Sequence, residues 1–323
     1  MTLLLALGVG LVALLLHLAL TLAAAPLVDR LITAAAAVAG GASPQGGGMS
    51  RPGASLAATL MRPWQDLAGL AARQPVRARS ASAVTSLAPQ AALAATLVAA
   101  ALVPSFATGM LTGPVADLML ILAMLGLARA ALLLCGFDAG LSGIGLAAVS
   151  LAVRSLLAVP GCVLALYALS LDSGTTGLDA LLADPHGGSA LPGLSPAVVL
   201  AATALGLAAL SAGGDEDALS AELSGPDLAA FRLQASLQRL VWINLVTALL
   251  LPSSLAVAQS NPLHWLLGLL LWVLRVGVAC ALLSGMQTIL GVLAPASRRG
   301  LAGLSVLFGL LAPLLLLVGR GVE

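Results

Sequence analysis

Eight long apolar runs, with arginines concentrated between alternate pairs of them, leave this chain very few ways to fold. Each run is near or above the ~20 residues that cross a hydrocarbon core as a helix. The 323-residue sequence has no lysine, so its 14 basic residues are all arginine. Only 8% of its residues are charged and 60% are hydrophobic, against about 25% charged in soluble proteins. The runs are continuous in Leu and Ala and lack the period-two alternation that marks a membrane barrel. The expectation is an all-α membrane protein with about eight transmembrane helices and one amphipathic interface helix, in a single polytopic domain over residues 1–323. Aromatic residues make up only 3%, so close packing is expected to rest on the 35 glycines and abundant alanines.

The spans are placed at about 2–25, 86–103, 114–135, 146–170, 195–212, 238–258, 262–294 and 300–319. The first has no basic leader and exceeds the ~7–15-residue apolar core of a signal peptide, so it reads as a span. The seventh is long enough to demand tilt or a protruding end. A long loop, 26–84, follows the first span and contains a glycine-rich piece at 40–53. A short turn, 136–145, joins the third and fourth spans, and a polar loop, 171–194, carries Asp172, Asp179 and Asp184. A polar segment, 213–234, precedes the sixth span. No internal repeat is visible.

Counting arginines by side fixes the orientation. Arg30, Arg51, Arg62, Arg73, Arg77, Arg79, Arg232, Arg239, Arg298 and Arg299 fall on one side, and Arg320 alone on the other. The positive-inside rule then puts the arginine-bearing loops in the cytoplasm and both termini outside. The net charge of +1 gives no case for nucleic acid.

Few residues could carry chemistry. Cys135, Cys162 and Cys280 lie singly in apolar runs, with no CxxC pair for a cluster, zinc or redox couple. His17 falls in the first span and reads as packed or as facing another subunit. His186 sits in an outer loop and His264 at the outer start of the seventh span, so no two histidines have ligand spacing. There is no GxSxG, P-loop or dinucleotide fingerprint. In the segment at about 55–73, Leu56, Leu60, Trp64, Leu67 and Ala71 recur on one helical face, with Pro63 expected to start the regular part. Such a helix should lie along the cytoplasmic interface, either simply on the membrane or as a docking surface for a soluble partner. Arg129, Arg154 and Arg275 fall inside spans, where a charge costs at least ~2.5–3.5 kcal/mol. Arg129 is expected near a cytoplasmic end, where it could snorkel. A structural role and a place in an ion or water path both remain open for Arg154 and Arg275. Intramembrane carboxylates are almost absent, so no Asp or Glu proton relay can be drawn.

RPWQDLAGLAARQPV (62–76) followed by SLAPQAALAATLVAAALVP (86–104) resembles the first cytoplasmic loop and second helix of the complex I subunit 1 family, the H subunit of NADH-quinone oxidoreductase. The closer branch is the membrane subunit of formate hydrogenlyase and related membrane-bound nickel–iron hydrogenases. DLMLILAMLGLARAALLLCGFDAG (117–140) is similar to that branch's third helix, with Arg129, Gly136, Asp138 and Gly140 matching. SGPDLAAFRLQASLQRLVWINLVTALLLP (224–252) is similar to the start of its sixth helix.

The resemblance implies a membrane-anchoring subunit that docks a soluble electron-transfer arm to ion-translocating, antiporter-like membrane subunits. It implies location in the inner (cytoplasmic) membrane of a bacterium or archaeon. Partners would be hydrogenase-like large and iron–sulfur small subunits. Iron–sulfur clusters and a nickel–iron centre would belong to those partners, and this chain would bind no cofactor and do no bond chemistry. Arg62, Asp66, Arg73, Asp138 and Asp227 are the docking candidates. The family's intramembrane glutamates are missing: Val159 precedes Pro160, and Ser284, Gly285, Met286 and Gln287 stand where an acid is usual. The long acidic loop is cut to GGDEDALSAELSGPD. An impaired or absent quinone and proton path follows. The alternatives are a stand-alone transporter or channel for a small anion or polar solute, lined by Arg154 and Arg275, and a purely structural assembly protein.

Overall fold

The least apolar of the long helices runs through the middle of the molecule. This is α9 (Gly225–Leu250), whose mean hydropathy of 1.2 is the lowest among the candidate spans. In its apolar stretch 61% of residues are buried, against 44% or fewer in the other long helices. A helix walled in by protein can carry polar side chains that lipid would not tolerate. Asp227, Gln234, Ser236, Gln238 and Asn244 are all buried on it.

The computed structural model describes residues 2–39, 56–76, 82–138, 140–183, 195–211, 213, 216–257, 262–292 and 296–320. The remaining α-helices are α1 (Thr2–Ala39), α2 (Leu56–Ala71), α3 (Val84–Leu102), α4 (Leu118–Asp138), α5 (Ser142–Ser173), α6 (Leu178–Ala183), α7 (Pro196–Ser211), α8 (Glu216–Ser220), α10 (Pro262–Val292) and α11 (Ala296–Arg320). The only strands among the described residues are β1 (Ala107–Thr108) and β2 (Ala256–Val257), paired in parallel. Among the described residues, seven helices are long and apolar enough to cross a membrane. The chain is an all-α, multi-pass membrane protein.

The elements differ from the sequence expectations where tertiary contacts override local signals. α1 does not stop at residue 25 but continues through a buried Pro26 to Ala39, so Arg30 sits on a helix rather than in a loop. α2 begins at Leu56, which leaves Pro63 inside it rather than in its first turn. α9 begins at Gly225, thirteen positions before the expected 238, because protein neighbours rather than lipid surround its polar residues. α4 runs on to Asp138, so Arg129 lies about midway along it, ~14 Å from that end at 1.5 Å per residue. The loop 171–194 contains the short α6, and Arg298 and Arg299 fall in the first turn of α11. α7, expected as the fifth span, is apolar throughout but has 16 residues, ~24 Å at that rise. It is enclosed by α5, α9 and α11, and a short helix is tolerated where protein covers its ends. The 40–53 stretch, Arg51, Arg77, Arg79, Asp184 and His186 lie outside the described residues.

α11 packs on α5 and α7, α3 on α4 and α9, and α1 on α10 and α9. The main core joins Ile32 of α1, Ile121 of α4, Leu169 of α5, Leu205 of α7 and Leu237, Leu240 and Leu245 of α9, all fully buried. A smaller core of alanines on α3 and α4, with Leu219 of α8 and Phe231 of α9, fills the end nearest the arginine-rich loops, called the basic face below.

On the opposite face, the segments after α3 and α9 close over the bundle. β1 and β2 pair there, and Ala256 N–H donates to the Phe106 carbonyl at 2.9 Å. α6 folds back on this cap: the Asp179 carboxylate accepts the Gly109 N–H at 2.9 Å. Burial holds Asp179 above the ordinary carboxylate range, against the opposing pull of that hydrogen bond. A group raised in the folded state contributes stability below its unfolded value and loses it as pH rises through the folded one. Asp179→Asn keeps a carbonyl for Gly109 and carries no charge. It is expected to melt higher than the parent at neutral pH and to converge with it in acid, which thermal unfolding in detergent across pH will check.

Candidate functional site: a pinned basic face and a polar interior

Three ties fix α2 and the chain beyond it on the basic face. Arg30 of α1 pairs with Asp66 at 3.0 Å, the two side chains being 30% and 63% exposed. An ion pair this exposed is worth ~0–1 kcal/mol, so it orients α2 more than it stabilises it. The Trp64 indole N–H donates to the Ala23 carbonyl at 3.3 Å. That carbonyl lies one turn before Pro26, where proline removes a backbone donor and pushes on the preceding turn. Beyond α2, the Val76 N–H donates to Ser224 Oγ at 2.6 Å, and the Ser224 hydroxyl donates to the Val76 carbonyl at 2.8 Å. Ser224 is at the N-cap position of α9 but makes no cap bond within that helix. Its hydroxyl is used to seat residues 73–76 instead.

The acids proposed for docking are occupied inside the chain. Asp138, the last residue of α4, accepts the Ser82 N–H (2.9 Å) and hydroxyl (2.7 Å) and the Thr85 N–H (3.1 Å) and hydroxyl (2.6 Å). One carboxylate thereby caps the start of α3 and joins it to the end of α4. Asp227 is 3% exposed in the first turn of α9, where a helix N-terminus favours negative charge. Asp138 and Asp227 share one corner, since both act electrostatically on the Cys135 thiol. Arg73 comes to the same corner through its backbone, which lies against Gly225. Arg62 and Asp66 lie further along α2, towards α1. Arg73 is exposed and Arg62 partly so, with Arg62 also engaged in the molecule.

A second ion pair, Asp29 with Arg239, ties α1 to α9. Placing Arg239 at the cytoplasmic edge of its span hid this pair. The signal that would have revealed it is Ser224-x-x-Asp227 with Pro226 between, a helix start with proline in the first turn, which puts Arg239 well inside α9.

The intramembrane arginines are not equivalent. Arg129 acts on Cys162 of α5 across the α4–α5 contact, and Arg154 is buried on α5; both are engaged in the molecule. Arg275 of α10 is 5% exposed. It donates to the Ser105 carbonyl and, at 3.1 Å, to Ser254 Oγ, so it reaches the segments following both α3 and α9. The converging C-terminal ends of those helices suit a cation. His17, expected to be packed or to face a partner, is packed: Nε2 lies 2.7 Å from the Ala100 carbonyl and Nδ1 2.6 Å from Ser105 Oγ. The carbonyl can only accept, so Nε2 carries the proton. The serine hydroxyl then donates to Nδ1, and a neutral ring is fully satisfied.

Among the described residues no group of three or more His, Cys, Asp or Glu could hold a metal ion. The arrangement is suited to holding surfaces in place.

No protein-family model matches the sequence, and no curated protein matches it. Among solved structures, the fold is similar to a chain in the membrane-bound sulfane sulfur reductase, an archaeal respiratory membrane complex. The similarity covers 94% of this chain and 99% of that one, with a TM-score of 0.63 at 13% identity. At that identity it is the fold that the two chains share.

Proposed function

We propose that the chain is the membrane-anchoring subunit of a complex I-like or membrane-bound-hydrogenase-like redox complex of the inner membrane, with both termini outside. One observation carries this reading: the end-to-end likeness to a chain of a respiratory membrane complex, 94% of one chain over 99% of the other. The pinned basic face supports it. A soluble arm needs a rigid platform, and α2 and residues 73–76 are held to α1 and α9 by side-chain bonds rather than left to move. In this reading the face is cytoplasmic. Arg62 and Arg73 contact the arm, while Asp66, Asp138 and Asp227 shape the platform from within. The chain binds no cofactor of its own; iron–sulfur clusters and a nickel–iron or derived centre reside in the arm, and antiporter-like subunits lie beside it in the membrane. Its own quinone and proton paths are impaired or absent.

The test is purification of the tagged chain from its native membrane in mild detergent. Co-purifying soluble subunits with bound iron and acid-labile sulfide support the reading. A lone chain or homo-oligomer that moves a small anion in liposomes would instead establish a transporter. Arg62→Glu with Arg73→Glu is expected to release the arm while membrane insertion stays intact. Like charges brought together across an interface cost on the order of a few kcal/mol, roughly a hundredfold in affinity. Full retention of the arm by the double variant in the same pull-down removes these arginines from the contact.

A further inference from the structure

The polar groups buried along α9 leave hydrogen-bonding capacity that the protein itself does not fill. Gln234 is fully buried against α3. Thr96 gives its hydroxyl proton to the Ala92 carbonyl at 2.8 Å, so it can only accept from Gln234 Nε2, at 3.1 Å. The second amide proton goes to Gln238 Oε1 at 2.6 Å. The orientation of the Gln234 amide is thereby fixed, and Oε1 is left buried with no protein partner. Further along α9, Asn244 accepts the Trp272 indole N–H at 3.0 Å. One turn beyond Trp272 on α10, Arg275 uses its two terminal nitrogens on Ser105 and Ser254, and its buried Nε–H has no protein partner. The indole nitrogen of Trp242, also on α9, is a third such group. Buried polar atoms are almost always hydrogen-bonded, and where protein does not serve, an internal water does.

We infer that α9 holds ordered water at Gln234 and at Arg275, and that the fixed cation of Arg275 makes this polar seam a barrier to protons. The charge is uncompensated by carboxylate: among the described residues none hydrogen-bonds Arg275, and His17, beyond Ser105, is satisfied as a neutral ring. The nearby Asp29–Arg239 pair on α1 and α9 is matched within itself. Between the two levels the buried Gln238, Asn244 and Trp242 indole nitrogen of α9 lie beside Leu237, Leu240, Val241 and Leu245, so the levels are linked by polar groups that do not ionise. An arginine at the end of a wet passage repels an excess proton while leaving water bound. This goes beyond the anchoring role and does not depend on it.

The experiment is proton flux into liposomes holding the full chain with whatever subunits it purifies with, read by an entrapped pH dye under a clamped potential. The parent and Arg275→Lys are expected to be tight. Arg275→Gln, which can still bond Ser105, is expected to leak roughly a hundredfold faster, the equivalent of about 2.7 kcal/mol for a unit charge ~6 Å away at an effective dielectric of ~20. Adding Gln234→Leu to Arg275→Gln is expected to restore tightness by drying the inner level. A tight Arg275→Gln protein overturns the inference, and so does a leak that survives Gln234→Leu. X-ray radiolytic footprinting of the parent decides the matter independently of whether the variants fold. Radicals born from bound water should oxidise Trp272 despite its 5% exposure, and an unlabelled Trp272 overturns the inference.

Discussion

Gly225→Ala is expected to cost about 3 kcal/mol and to unseat residues 73–76 from the start of α9. Two effects act together. Gly225 has φ +59, in the left-handed region, where a side chain costs ~1–2 kcal/mol. A Cβ there would also stand 2.7 Å from the Arg73 carbonyl oxygen, 3.1 Å from Pro75 N and 3.2 Å from the Gln74 carbonyl carbon. All three are backbone atoms, so none can rotate aside, and overpacking of this kind costs ~1–3 kcal/mol. Relief requires the 73–76 segment to move, which breaks the reciprocal Val76–Ser224 bonds. Thermal unfolding in detergent should show the loss, and amide exchange should rise at Val76 before the bundle melts. If the variant is a docking subunit with a displaced Arg73, it should also hold its soluble arm less well in the pull-down. An unchanged melting temperature together with a protected Val76 would mean that the two segments, 148 positions apart in sequence, do not meet.

That contact shows where sequence reading stops. The helical membrane class was legible because lipid forces every backbone group to be satisfied within a helix, and that constraint writes itself as long apolar runs. The amphipathic α2 was legible for the same reason, since its apolar face repeats at helical spacing. What failed was the assumption that polar residues end a span. α9 begins at Gly225 although Asp227, Gln234 and Gln238 make its first half polar, because its neighbours are α3, α1 and α2 rather than lipid. α1 passes through Pro26, and Trp64, 41 positions away, donates to a carbonyl in the turn before it. The acids taken as docking candidates were legible as acids and not as caps. Asp138 finds its partners, Ser82 and Thr85, more than fifty positions earlier in the chain, and no local pattern records that. Arg275 was legible as a charge inside a span. Its acceptors, a carbonyl after α3 and a hydroxyl after α9, come from two segments that only the tertiary fold brings together.

Gly309→Val is expected to separate α11 from α5 at a cost of about 3 kcal/mol, while Gly303→Val on the same helix should change stability by less than about 0.5 kcal/mol. In a bilayer, burying Leu against Leu gains little, because lipid tails are as apolar as side chains. Helices associate through close approach and interhelical hydrogen bonds. Gly161, Ser305 and Gly309 form such a contact. A Cβ on Gly309 would lie 2.9 Å from the Gly161 carbonyl oxygen and 3.1 Å from Leu164 Cβ, and a Cβ on Gly161 would collide with Ser305 Oγ. Ser305 meanwhile donates to the Ala204 carbonyl at 2.8 Å, so the same line of small residues brings in α7. Two methyls at 309 cannot be accommodated by rotation, since the nearest obstacle is backbone. The helices must part, and the Ser305 bond, worth about 1 kcal/mol, goes with them. Gly303 is exposed and has nothing within 4 Å of its Cβ position, so the same substitution there meets no neighbouring group. Glycine and valine are the same pair at both positions, on one helix, six residues apart, so propensity cancels from the comparison. A fall in melting temperature for Gly309→Val alone assigns the cost to the three-helix contact. Equal falls for both variants would assign it to the loss of glycine itself, and the α5–α7–α11 packing would then carry no more weight than any lipid-facing stretch.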